Sequence, residues 1–260
     1  MSISRLPQIV PNAPWPHIDL PGSLGFGDAD GAEVHVWATH CDTYKPDLHE
    51  YFLGMLSAQE TARASKFRTD ESRHEFLVAH AMLRSVLARY LARAPERVRL
   101  TESFHGKLAC EDAPELAFNL AHAQGAVLVA IGNGIDVGVD VEQVRSFNDA
   151  ADLVGRYFSG EELQRFLGLE GVARNRAFFE LWTRKEAYLK ALGVGLSEPM
   201  DSFEVTFGAG EPFRLLRGRP GPWSMFGLEP LNGFVGALAV RGRVTRLAGG
   251  VLQRLPNALG

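Results

Sequence analysis

From residue 135 to residue 142 apolar and polar positions alternate without a break (IDVGVDVE), a period of two that predicts a β-strand. Ile135, Val137, Val139 and Val141 share one face, and Asp136, Gly138, Asp140 and Glu142 share the other. Shorter runs predict strands over residues 32–39, 116–121 and 126–131, the last followed by a Gly-Asn-Gly turn at 132–134. Strand-like pieces over 202–207 and 233–240 close the chain. Helical spacing dominates between them. A capping box, Ser57-x-x-Glu60, opens a helix over 57–66, and Ser159-x-x-Glu162 opens another. Apolar residues recur at helical spacing over 70–93, and again over about 174–192, where Gly193 supplies a helix end. Residues 1–30 read as a Pro/Gly-rich lead-in.

The two halves of this pattern echo each other. Ser57 and Ser159, Glu60 and Glu162, and Phe76 and Phe178 are each separated by 102 positions. The expectation is an α+β fold built by duplication: two similar α/β halves, 1–132 and 133–260, related by a pseudo-twofold. The groove between them is the expected ligand site. Chance is the alternative, since Ser-x-x-Glu is common.

Composition narrows the class. Hydrophobic residues make up 46% of the 260, which excludes a largely disordered chain. A formal charge of −4 argues against a general nucleic-acid binder. No apolar run is long enough to span a membrane, and the N-terminal stretch lacks the apolar core of a signal peptide. The two cysteines, Cys41 and Cys110, have neither zinc-site spacing nor the density of a disulfide scaffold. A reduced, cytoplasmic protein is expected.

Two segments carry candidate chemistry. Asp140 and Glu142 lie on one face of a strand with their roots about 6–7 Å apart, close enough to repel. A hard divalent cation would relieve that repulsion, and Gly138 is expected to leave room for a ligand beside Asp140. A half-exposed strand with a solvated acidic face is the plainer alternative. On the last long helix, Phe178, Leu181, Trp182, Tyr188, Leu189 and Leu192 form a buried stripe with Lys185 in its middle. A buried lysine requires an acidic or carbonyl partner, or a route outward. Glu186 and Lys190 border the stripe, where side chains can be rigid and still reach a cleft. An ordinary i, i+4 ion pair is the alternative there.

Together, Gly138-Val-Asp140-Val-Glu142 and Trp182-Thr-Arg-Lys185-Glu186-Ala-Tyr-Leu-Lys190-Ala-Leu-Gly193 resemble the signature of the 4′-phosphopantetheinyl transferases. Gly106-Lys107-Leu108, Phe118-Asn119-Leu120-Ala121-His122, Phe158-Ser-Gly-Glu-Glu162 and Gly193-Val-Gly195-Leu196 resemble further segments of that family, in order. The length and suspected duplication resemble its long, pseudo-dimeric type. The chain departs from the pattern at Leu108, where proline is usual, and at Ala121 and Ala123, which lack serine hydroxyls.

The resemblance implies transfer of the 4′-phosphopantetheine arm of coenzyme A to a serine of an apo-acyl or peptidyl carrier protein, releasing adenosine 3′,5′-bisphosphate. It implies Mg²⁺, with Mn²⁺ as a substitute, held by Asp140, Glu142 and Glu186. Glu186 would also take the serine proton, and Lys190 would stabilise the departing phosphate. Lys107, Asn119 and His122 would contact coenzyme A, with Arg63 and Arg73 as candidates for its 3′-phosphate. Phe166 and Leu167 are candidates for carrier docking, or else core. A monomer is expected. Another Mg²⁺-dependent phosphoryl or nucleotidyl transferase, and a non-catalytic coenzyme A-binding module, are the rival functions.

Overall fold

Two short helices begin with the same device. In the computed structural model the Ser57 hydroxyl accepts the Glu60 N–H while the Glu60 carboxylate accepts the Ser57 N–H, and Ser159 and Glu162 do the same. Residues 6–10, 13–26, 31–146 and 148–255 are described. In chain order they form strands β1 (His17–Ile18) and β2 (Ala32–His40), then helices α1 (His49–Met55), α2 (Ala58–Ala64) and α3 (Asp70–Leu91). Strands β3 (Leu100–Glu102), β4 (Leu108–Cys110), β5 (Leu116–Ala123), β6 (Ala126–Asn133) and β7 (Val137–Gln143) follow. Helices α4 (Ala150–Tyr157), α5 (Gly160–Leu167) and α6 (Gly171–Leu192) precede strands β8 (Glu204–Val205), β9 (Leu215–Arg217), β10 (Trp223–Leu228), β11 (Phe234–Arg241) and β12 (Val244–Leu252). The fold is mixed α+β.

The long helices α3 and α6 have 22 residues each. Thr69 caps the first, its hydroxyl accepting the Ser72 N–H, and Gly193 ends the second in the left-handed region at φ 69°. The larger sheet has the order β1-β12-β2-β6-β5 and the smaller one β10-β11-β7. Helix α3 covers one side of the first and α6 packs on β7 and β11 of the second. Val137, Val139 and Val141 of β7 enter a core shared with Val34, Val36 and Leu128 of the larger sheet.

Several expectations need correction. The Pro/Gly-rich lead-in contributes to the core, which its composition did not suggest: Leu6, Ile9, Trp15 and Leu24 are buried, and β1 pairs in parallel with β12. Residues 1–5, 11–12 and 27–30 of that segment lie outside the described residues. Strand β6 continues through Asn133 and β7 starts at Val137, so the turn falls two residues later than expected, with Gly134 at φ 63°. Phe166 is core, whereas Leu167 is 44% exposed.

The largest correction concerns Gly138. Its missing side chain does not leave space for a ligand; the backbone of α6 fills it. A Cβ there would lie 2.2 Å from the Ala187 carbonyl oxygen and 2.2 Å from the Ala191 nitrogen. The acidic face of β7 is therefore pressed against α6, and the glycine sets the distance between Asp140 and that helix. Gly138→Ala is expected to push strand and helix apart. The cost is about 1–3 kcal/mol of stability, read from denaturant unfolding. Wild-type stability in that variant would show that the close approach is dispensable.

Candidate active site

Helix α6 is fixed by its own buried lysine. Lys185 has no exposed surface, and its ammonium lies 2.7 Å from a Glu162 carboxylate oxygen. It also donates to the Met200 and Phe203 carbonyls, at 2.6 Å each, beneath the rings of Phe158 and Phe203. Burial pulls its pKa down, and the Glu162 carboxylate opposes that pull. Glu162 in turn accepts the Ser159 and Val205 N–H groups. The partner demanded by the sequence is thus present, and Lys185 anchors the helix from below.

Five residues further along α6, Lys190 bypasses its i, i+4 neighbour Glu186 and reaches β7. Its ammonium lies 2.6 Å from Asp140 Oδ1. Asp140 is buried, and its Oδ2 has no hydrogen-bond partner among the described residues. Desolvation pushes the Asp140 carboxyl up, against the attraction of Lys190. Glu142 is raised to about 7, by burial first and then by the charge of Asp140. Glu186 is raised by the same two causes in the same order.

Three carboxyls thus resist ionisation together, with one ammonium among them. No three His, Cys, Asp or Glu side chains among the described residues converge as a ready metal cage. The chemistry of the donors nevertheless suits a hard divalent cation: all are oxygens, one is an orphan, and a positive ion would favour the charged form of each. Asp140, Glu142 and Glu186 are the residues that could hold it.

One cavity adjoins this cluster at Glu186 and Lys190, and it shares Gly106, Asn119 and Leu120 in its walls with a second cavity. The smaller, of about 250 Å³, is lined by Lys107, Glu186 and Lys190. The larger, of about 540 Å³, is lined by Arg63, Lys66 and His122. Lys107 crosses to α6, donating to the Ala191 carbonyl at 3.2 Å and lying against Gly193. His122 pairs with Glu75 at 2.6 Å, and Glu75 also accepts the Gly125 N–H. Asn119 spends its oxygen on the Val139 N–H, at 2.8 Å. Arg63 lies over the Phe76 ring, 5.7 Å from its centroid. Arg73 is not brought to the site: it pairs with Asp70 at 3.1 Å and lines neither cavity. The Leu196 side chain lies outside the described residues.

Sequence reasoning missed Lys66 and a buried cluster at the edge of the larger cavity. Glu60, beyond its capping role, lies 2.8 Å from His80 and 2.6 Å from Arg84, both on α3. The i, i+4 spacing of His80 and Arg84, opposite a capping-box glutamate, was the signal that could have found it. Burial by itself raises the Glu60 carboxyl, but hydrogen bonds from His80, Arg84 and the Ser57 N–H outweigh it and hold the pKa at about 2. A depressed folded-state pKa contributes stability above the unfolded value of 4.5, which is lost as pH falls toward 2. Wild-type protein is expected to lose about 3 kcal/mol more than Glu60→Gln over that window, by urea unfolding at each pH. Parallel losses would contradict the assignment.

The sequence model of the 4′-phosphopantetheinyl transferase superfamily matches residues 136–239. The 4′-phosphopantetheinyl transferase HetI of Nostoc sp. is 34% identical over 213 residues, covering 81% of this chain and 88% of the relative. Sfp of Bacillus subtilis, also a 4′-phosphopantetheinyl transferase, is 28% identical over 157 residues, covering 60% and 69%. A crystal structure of Thermotoga maritima holo-[acyl-carrier-protein] synthase aligns with a TM-score of 0.34 at 23% identity, covering 42% of this chain and 64% of that one.

Proposed function

The chain belongs to the 4′-phosphopantetheinyl transferase superfamily, and on that premise we propose that it transfers the 4′-phosphopantetheine arm of coenzyme A to a serine of an apo-acyl or peptidyl carrier protein. Adenosine 3′,5′-bisphosphate is the second product. The observation that carries the reading is the buried Asp140 carboxylate meeting Lys190 of α6, which with Lys107 and Glu186 lines a cavity that shares walls with a second, basic-lined one.

Each part of the reaction has a candidate residue. Asp140, Glu142 and Glu186 would hold Mg²⁺, or Mn²⁺ in its place. The ion, when bound, neutralises and polarises the diphosphate of coenzyme A. Lys107 grips that diphosphate in the smaller cavity, and His122 and Arg63 hold the nucleotide end in the larger one. Arg73, held by Asp70 outside both cavities, has no part in this assignment. The serine oxygen forms a bond to the pantetheine-side phosphorus as the bond from that phosphorus to the bridging oxygen breaks. Glu186 accepts the serine proton, directly or through water. The bridging oxygen leaves with the nucleotide, and Lys190 stabilises its charge.

The same reading makes the chain a duplication, 1–132 and 133–260, with the site in the cleft between the halves. Three repeated features support it. The sheet orders β2-β6-β5 and β7-β11-β10 place corresponding strands in corresponding positions. Each half has a capping box before a 22-residue helix. Each capping-box glutamate also takes a cation from that long helix, Arg84 in one half and Lys185 in the other. Strand β12 then crosses back to pair with β2. One chain thus carries both walls of the site, and a monomer is sufficient. No described helix is long and apolar enough to cross a membrane, and Cys41 and Cys110 are both free. A cytoplasmic setting completes the proposal.

The test is the intact mass of an apo-carrier domain incubated with the protein and coenzyme A, with Mg²⁺ or with a chelator. One phosphopantetheine gained per carrier, with Mg²⁺ only, is the expected result. No gain across a panel of fatty-acid, polyketide and peptide-synthetase carriers would overturn the reading.

A further inference from the structure

The two sheets meet edge to edge. Strand β5 is the last strand of the larger sheet and β7 the last of the smaller, and they run close together without ladder pairing. An N–H on the open edge of β7 therefore lacks a strand partner and must find one elsewhere. Val139, the residue before Asp140, finds it in the side chain of Asn119, which lies in the middle of β5.

We propose that Asn119 is a positioning residue, whose side-chain oxygen fixes β7 against β5 and so sets the distance between Asp140 and the wall that carries His122. This inference rests on the transferase reading. His122 is three residues along β5 from Asn119, and Asp140 is the neighbour of the bonded Val139. The single bond thus ties the carboxylate end of the trough to its nucleotide end. On the face of β7 that carries Asp140, the close approach at Gly138 clamps the strand to α6. Held at its edge and on its face, β7 keeps Asp140 in register with the cleft. Asn119 is also spared from holding coenzyme A by its oxygen, because that oxygen is already engaged.

Asn119→Leu removes the acceptor at similar volume, and Asn119→Asp keeps an acceptor oxygen. Should the leucine variant not fold, Asn119→Ala removes the acceptor without added bulk. Two readouts separate the possibilities. Amide hydrogen exchange at Val139, measured without substrate, is expected to speed up at least tenfold in Asn119→Leu and to return toward wild type in Asn119→Asp. In the transfer assay, kcat of Asn119→Leu is expected to fall at least tenfold while KM for coenzyme A changes less than threefold, with a higher kcat in Asn119→Asp than in Asn119→Leu. A raised KM with intact kcat would overturn the proposal in favour of direct contact with coenzyme A. Unchanged protection of Val139 would overturn it as well. Failure of the transferase reading would appear differently, as no transfer by wild-type protein, with the exchange difference still present.

Discussion

Asp140→Ala and Glu186→Ala are each expected to lower the turnover of phosphopantetheine transfer by about 10²–10³-fold or more while the protein stays folded. The magnitude is that of removing a preorganised electrostatic group from the centre of a phosphoryl transfer. Asp140 is buried beside an ammonium, with its second oxygen unpartnered among the described residues. A protein that kept such a group for stability alone would be better served by an apolar side chain of similar size. Removal of Asp140 frees Lys190, whose side chain is 29% exposed and can turn to solvent, so collapse of the fold is not expected. Single-turnover assays with labelled coenzyme A, beside circular dichroism of each variant, make the check. Near wild-type turnover in either folded variant would contradict the assignment.

The largest effect on stability is expected at Glu162. Its carboxylate compensates the Lys185 ammonium, closes the capping box of α5 and accepts the Val205 N–H. Glu162→Ala leaves a buried cation with two carbonyls and no counter-charge. Breaking one side of such a pair costs about 3–5 kcal/mol. At roughly 2–4 °C per kcal/mol for a chain of this size, the melting temperature should fall by about 6–20 °C. The double variant Glu162→Ala/Lys185→Met should lose less than the two single losses combined, because it removes the charge together with its partner. Strict additivity would mean that the two side chains do not act as a pair.

Strong local patterns were legible in the sequence. The alternation in β7, the capping boxes at Ser57 and Ser159, and the stop at Gly193 come from backbone chemistry that each segment carries within itself. Lys185 was legible in a different sense: a cation in an apolar stripe demands a partner, although the sequence could not say that Glu162 would supply it. Strand β12 was missed because Gly249 and Gly250 interrupt its pattern. Gly249 is there because the chain lies against β2: a Cβ would meet the Val36 carbonyl oxygen at 2.0 Å. The burial of Leu6, Ile9 and Trp15 was hidden by the prolines around them, and depends on contact with a strand more than two hundred residues away.

In the candidate site, the residue types were readable and their partners were not. Gly138 suggested open space, and only the packing of α6 showed that the space is filled. Asn119 suggested a ligand contact, and the sequence could not show that its oxygen serves the neighbouring strand. Arg73 sat in a helix near other basic residues, but the direction of its side chain depends on Asp70 at the start of α3. Each of these is a long-range or rotational fact that periodicity does not encode.

The most direct test of the central claim is a crystal structure of the protein with coenzyme A and Mn²⁺, with the ion located by its anomalous signal. The account predicts one ion bound by Asp140, Glu142 and Glu186 beside the diphosphate, with Lys190 turned from Asp140 toward phosphate. An ion bound elsewhere, or Lys190 still on Asp140 with coenzyme A in place, would contradict it.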